Sequence, residues 1–124
     1  MAAILIVGDD AVLLETRARL LRDWPVLVTT SKHAAKAIGS NTYDLMIFCQ
    51  TIPDDTAQTL IESARKLNPT VKTLAIHMSG EERGVDADLY EIQLQNPGLL
   101  VSVVARLLQS SSIRAVDKRA VKHA

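Results

Sequence analysis

The sequence predicts an α/β domain built on a parallel sheet. Three observations carry that expectation. Short apolar runs alternate with helical patterns five times along the 124 residues. The first, third and fourth runs are apolar at consecutive positions, as strands buried on both faces must be. Turn or capping residues punctuate the runs, so each run has the length of a strand rather than a helix.

Taken in order, Ile4-Leu5-Ile6-Val7 is β-branched at three of four positions and stops at Gly8, which predicts a buried strand. Asp9 and Asp10 follow, and either carboxylate can accept the free N–H groups of a helix start. Val12, Leu13, Thr16, Leu20 and Leu21, with Arg17, Arg19, Arg22 and Asp23 between them, predict an amphipathic helix of about 13 residues. Pro25 closes it by disfavouring helical backbone at Trp24, and Trp24 is expected to pack at the helix end.

Val26–Thr29 is the second strand. Ser31 is expected to cap a helix from Lys32 to about Ile38, stopped by Gly39-Ser40-Asn41. Leu45–Phe48 is the third strand, and Pro53-Asp54-Asp55 opens a helix through about Leu67, with Leu60, Ile61, Ala64 and Leu67 on one face. Asp54 and Asp55 are expected to cap it. Thr73–Ile76 is the fourth strand. Ser79 to Glu82 starts a weak helical stretch that Gly84 interrupts, Glu91–Leu94 is a poorer fifth strand, and Gly98–Gln109 is an apolar last helix.

Composition narrows the function classes. The chain is 48% hydrophobic with a mean hydropathy of +0.12, enough apolar material for one domain's core and too much for disorder. Fourteen basic residues balance fourteen acidic ones, which argues against a chain-wide nucleic-acid or membrane footprint. One cysteine allows no internal disulfide and fits a reducing compartment. No apolar run approaches the roughly 20 residues of a membrane span, and the first residues carry no basic segment ahead of an apolar one. The expectation is a cytoplasmic, soluble protein without nucleic-acid or membrane partners.

The zero net charge hides an asymmetry. Residues 113–124 carry Arg114, Lys118, Arg119 and Lys122 against Asp117, so they sit at +3 and residues 1–112 at −3. The chain therefore divides into a domain over 1–109 and a basic tail over 110–124. The tail reads as a solvated extension in preference to a binding arm, or as a continuation of the last helix, since Ile113, Val116 and Ala120 are helically spaced. His33 and His123 read as surface groups.

In parallel α/β sheets ligands gather at the carboxyl ends of the strands. There stand Asp9 and Asp10 after the first strand, Cys49 after the third, His77 after the fourth, and Asn96 and Pro97 after the fifth. Gly8 has no partner glycines at dinucleotide or P-loop spacing. The order Ile4-Leu-Ile-Val-Gly-Asp-Asp10, Tyr43-Asp-Leu-Met-Ile-Phe48 followed by Pro53, and Asn96-Pro97 ahead of a Leu-Leu-rich helix resembles the receiver domain of two-component response regulators over roughly residues 3–108.

That resemblance implies a flavodoxin-like (βα)5 doubly wound fold with a five-stranded parallel sheet in the order 2-1-3-4-5. It also implies phosphorelay chemistry. A receiver takes a phosphoryl group from a histidine kinase onto an aspartate ending strand three. An acidic pair after strand one helps hold Mg²⁺, while a Ser or Thr after strand four and a Lys after strand five contact the phosphoryl group.

This chain departs from the pattern at nearly every such position. Cys49 stands at the acceptor, His77 at the Ser or Thr, Asn96 at the Lys and Gln93 where a switch aromatic is common. Gly8 stands at the first acidic position, leaving Asp9 and Asp10; a one-residue slip would restore a full acidic pair. A thiol cannot form the acyl phosphate, sulfur is a poor substitute for a Mg²⁺ oxygen ligand, and an amide carries no positive charge.

The expected function is thus a pseudo-receiver: a non-enzymatic, phosphorylation-independent module that contacts a histidine kinase, another response regulator or itself. In this family the surface of helix four, strand five and helix five is often a dimer or partner face. No cofactor is expected; a residual cation, if one binds, would be held by Asp9 and Asp10, whose alternative reading is helix capping. One alternative is a receiver that still switches by phosphorylation at another acceptor, Asp54 and Asp55 being nearest. Another is a metal, redox or pH sensor built on Cys49 and His77. Cys49, His77, Asp9 and Asp10 are zinc-type ligands by chemistry, though no local spacing motif joins them. A nearby carboxylate would raise the pKa of His77, whereas a redox role for Cys49 needs nearby positive charge.

Overall fold

The computed structural model describes residues 2–77, 89–92 and 97–109. Strands β1 (Ile4–Val7), β2 (Val26–Thr29), β3 (Leu45–Phe48), β4 (Lys72–His77) and β5 (Leu89–Ile92) alternate with helices α1 (Ala11–Leu20), α2 (Ser31–Ser40), α3 (Asp54–Leu67) and α4 (Pro97–Gln109). All strand pairs are parallel, and the sheet order is β2-β1-β3-β4-β5. This is the flavodoxin-like doubly wound arrangement, in the order that the sequence resemblance implies. The stretch expected to be a weak helix (79–89) falls almost wholly outside the described residues, as do Gln93, Asn96 and the tail 110–124.

Side chains along β1 and β3 alternate between two cores, because successive residues of a strand point to opposite faces. Leu5, Val7, Met46 and Phe48 join Ala34 and Ile38 of α2 and Ala57, Leu60, Ile61 and Ala64 of α3. Ile4, Ile6, Leu45 and Ile47 join Leu14 of α1 and Leu100, Val103, Val104 and Leu107 of α4. Both faces are covered, which is why β1 and β3 are buried at all four positions. Trp24 packs at the edge of the second core, as expected of a helix-end residue.

Four local expectations are corrected. Helix α1 ends at Leu20, short of the expected length, and its buried stripe is Leu14, Arg17 and then Leu21 rather than one through Val12 and Thr16. Positions i, i+3 and i+7 share one helix face. Arg17 can occupy it because its methylene stem is apolar, whereas Val12 is 73% exposed. Helix α2 begins at Ser31 and runs to Ser40, through Gly39. The α3 N-cap is Pro53, which has no side-chain donor or acceptor; Asp54 and Asp55 lie inside the first turn, where the helix dipole favours acids. Strand β5 lies two residues earlier than the apolar pattern suggested. Its place follows pairing with β4, Leu74 with Leu89 through His77 with Ile92.

Lys72 opens β4 and is only 2% exposed. Its Nζ donates to the Leu107 carbonyl in the last turn of α4, at 2.5 Å. Helix ends leave four carbonyls without intrahelical partners, so this buried ammonium ties the end of α4 to the start of β4.

Candidate functional site

The carboxyl ends of β1, β2 and β3 meet where the winding of the sheet reverses between β1 and β3, the usual location for a ligand in such folds. Three connecting loops are joined there by Asp9. Its N–H donates to Thr51 Oγ1 at 3.0 Å, tying the β1–α1 loop to the β3–α3 loop. Its carboxylate accepts the Ser31 N–H at 2.9 Å and the Ser31 hydroxyl at 2.8 Å and 3.0 Å. Asp9 thus caps α2 from a neighbouring loop. The expected cap, Ser31, is instead the first helical residue and a donor to Asp9; the N-cap residue, Thr30, makes no side-chain cap bond.

Asp10 does cap its own helix. Its Oδ1 accepts the N–H groups of Val12 at 3.0 Å and Leu13 at 3.1 Å. Both acids of the strand-one pair are therefore bound to backbone, and both are solvent-exposed. Gly8, just before them, is buried. A Cβ at Gly8 would lie 3.1 Å from Cys49 Sγ, 3.1 Å from Leu14 Cδ2 and 3.2 Å from Cys49 Cβ. The space an acidic side chain would need at position 8 is filled by sulfur and a leucine methyl.

Cys49 is 1% exposed and belongs to the apolar core between the sheet and the α1–α4 layer. Its N–H donates to the Val7 carbonyl at 2.9 Å, which extends the β1–β3 ladder by one residue. The side chain lies among the apolar residues of that core. Next to it, Gln50 Oε1 is buried without a hydrogen-bond partner.

The donor set does not suit Mg²⁺, which takes about six oxygen ligands in near-octahedral geometry. Position 8 offers no side chain, position 49 offers buried sulfur, and the carboxylates of Asp9 and Asp10 already receive backbone and hydroxyl hydrogens. Among the described residues no three His, Cys, Asp or Glu side chains are placed to share a metal ion. His77 ends β4 beside Ile92; its side chain, like that of Pro97 at the start of α4, is outside what is described.

Sequence reading located Asp9, Asp10 and Cys49 at this edge and missed Thr51 and the packing role of Gly8. Thr51 lies in a loop following a strand end, where its hydroxyl was available as a signal. The demand for glycine at position 8 depends on contacts with Cys49 and Leu14 and has no local signature.

Comparison with solved structures places the chain among receiver folds. A CheY-like response regulator receiver domain protein from Methanospirillum hungatei superposes with a TM-score of 0.76 at 24% identity, covering 90% of this chain and 97% of that one. The chemotaxis response regulator CheY4 of Vibrio cholerae gives 0.74 at 18% identity, covering 87% and 99%. A response regulator from Chloroflexus aurantiacus gives 0.71 at 25% identity, covering 87% and 98%. No protein-family model and no curated protein matches the sequence. The chain has the fold of a response regulator receiver domain, and the resemblance first carried by its strand-end motifs extends to the whole sheet. No described helix is long and apolar enough to cross a membrane.

Proposed function

We propose that this chain is a receiver-fold protein of two-component signalling that binds other proteins without accepting a phosphoryl group at the end of β3. The observation that carries this reading is Cys49, a buried thiol packed against Gly8 and Leu14 at the place where a receiver presents an exposed aspartate. Phosphoryl transfer needs a nucleophile that can reach the donor and a cation or dipoles to hold the transferred charge. The thiol is out of reach and the acids cap helices. On this reading the protein is not an enzyme and needs no metal cofactor. Its partners are a histidine kinase, another response regulator, or a second copy through the surface around β5 and the last helix, and it engages neither nucleic acid nor membrane.

The test is intact mass after incubation with acetyl phosphate and Mg²⁺. The expected spectrum has no phosphoryl adduct. An adduct would overturn the reading and point to another acceptor, with Asp54 and Asp55 to be replaced first.

A further inference from the structure

Strand β2 is an edge of the sheet. Pro25 and Thr29 turn their carbonyls inward to the N–H groups of Ile4 and Gly8. By the alternation of a parallel ladder, the N–H and C=O groups of Val26 and Val28 therefore face outward. Edges of this kind are usually blunted by lysines, inward charges or bulges. Residues 26–31 carry no charge, and Leu27 and Val28 are 44% and 41% exposed on opposite faces of the strand.

Two neighbouring features narrow what this edge can receive. Helix α2, packed beside β2, exposes Lys32, His33 and Lys36 and contains no acid. At the foot of the strand a groove of about 240 Å³ is lined by Ile4, Pro25, Val26, Leu27, Thr42 and Tyr43. Tyr43 is 6% exposed, and its hydroxyl is buried without a hydrogen-bond partner.

We propose that the β2 edge receives an extended, acidic segment of a partner protein as a sixth strand. The main chain of the segment pairs with Val26 and Val28 and gives affinity. Apolar side chains cover Leu27 and Val28, acidic ones meet Lys32 and Lys36, and one end of the segment enters the groove beside Tyr43. Charge selects this occupant over a second copy of the chain. Antiparallel pairing of two β2 edges would set the two α2 helices side by side on one face, lysines against lysines, and like charges across an interface disfavour it. The inference names the surface by which the protein-binding role proposed above would operate, and so rests on that reading.

The experiment is an amide NMR titration of the full chain with two synthetic ten-residue peptides, one alternating Val with Glu and one alternating Val with Lys. The Val–Glu peptide is expected to shift the amides of residues 26–36 and to bind at least about tenfold more tightly than the Val–Lys peptide. N-methylating the central residues of the Val–Glu peptide, which leaves the protein untouched, should weaken binding by about tenfold or more, because strand addition depends on main-chain bonds. Val28→Pro should do the same with an unchanged far-UV spectrum, since proline is tolerated on an outward-facing edge N–H. Shifts centred elsewhere, equal affinity for both peptides, or a chain that dimerises through these amides in sedimentation would overturn the proposal. Those outcomes leave the acetyl phosphate result unaffected, and an adduct there would leave the peptide result unaffected, so the two readings fail separately.

Discussion

Replacing Gly8 by alanine tests whether the strand-end pocket is closed by packing. The new methyl would sit 3.1 Å from Cys49 Sγ and Leu14 Cδ2, so those atoms must yield by a few tenths of an ångström; apolar heavy atoms prefer about 3.5–4.0 Å. Overpacking a filled core costs about 1–3 kcal/mol. Gly8 is not in the left-handed region, so no backbone strain is added. The alanine also restricts the unfolded chain, which offsets about 0.4–1 kcal/mol. The net expectation is a loss of about 1–2 kcal/mol, or roughly 4–8 °C in Tm for a domain of this size.

The assay is urea unfolding followed by circular dichroism, run as a double-mutant cycle with Cys49→Ala. Cys49→Ala alone should destabilise by about 1–2 kcal/mol through the cavity it leaves. In the double variant the Gly8 methyl occupies that cavity. The combined loss should therefore fall short of the sum by about 1 kcal/mol, within the range seen for residues in contact. If Gly8→Ala is as stable as the native chain, or if the two losses simply add, the steric account of the closed pocket is wrong. The same geometry bears on any attempt to restore an acceptor. Cys49→Asp alone would bury a carboxylate in the apolar cluster of Leu14, Ile47, Leu74 and Ile76, where an unpaired charge is costly.

Two buried cations predict opposite signs. Arg17 is 6% exposed with its Nη1 unpartnered, so Arg17→Met, which keeps the apolar stem, should raise stability by about 1 kcal/mol in urea unfolding; a loss of that size would show that the guanidinium stabilises the fold. Lys72→Met should lower stability by about 1–3 kcal/mol, because the Leu107 carbonyl loses its buried donor; an unchanged midpoint would show that this bond does not hold α4.

Much of this protein was legible in the sequence because the decisive signals are local. Consecutive apolar residues at 4–7 and 45–48, too short for helices, read as strands covered on both faces, and Asp9-Asp10 marks the start of a helix, with Asp10 singled out as its cap by the structure. The run from Ile4 to Asp10, the strand before Cys49 and the Asn96-Pro97 pair carry the receiver resemblance, and that resemblance implies the sheet order the structure has.

What the tertiary structure decided are the features that depend on neighbours distant in the chain. β5 takes its register from β4 and not from its own apolar pattern. Asp9 caps α2, 22 residues away, because the β1 and β2 ends are adjacent in the sheet. Arg17 falls on the polar side of the expected amphipathic helix and Lys72 lies one residue outside the expected fourth strand, yet the α1 stripe and the α4 end bury both. The closed pocket is of this kind as well. That Cys49 replaces an acceptor is written in the sequence, but that its sulfur fills the space over Gly8, and so excludes an acid from both positions, follows only from the packing of β1, β3 and α1 against one another.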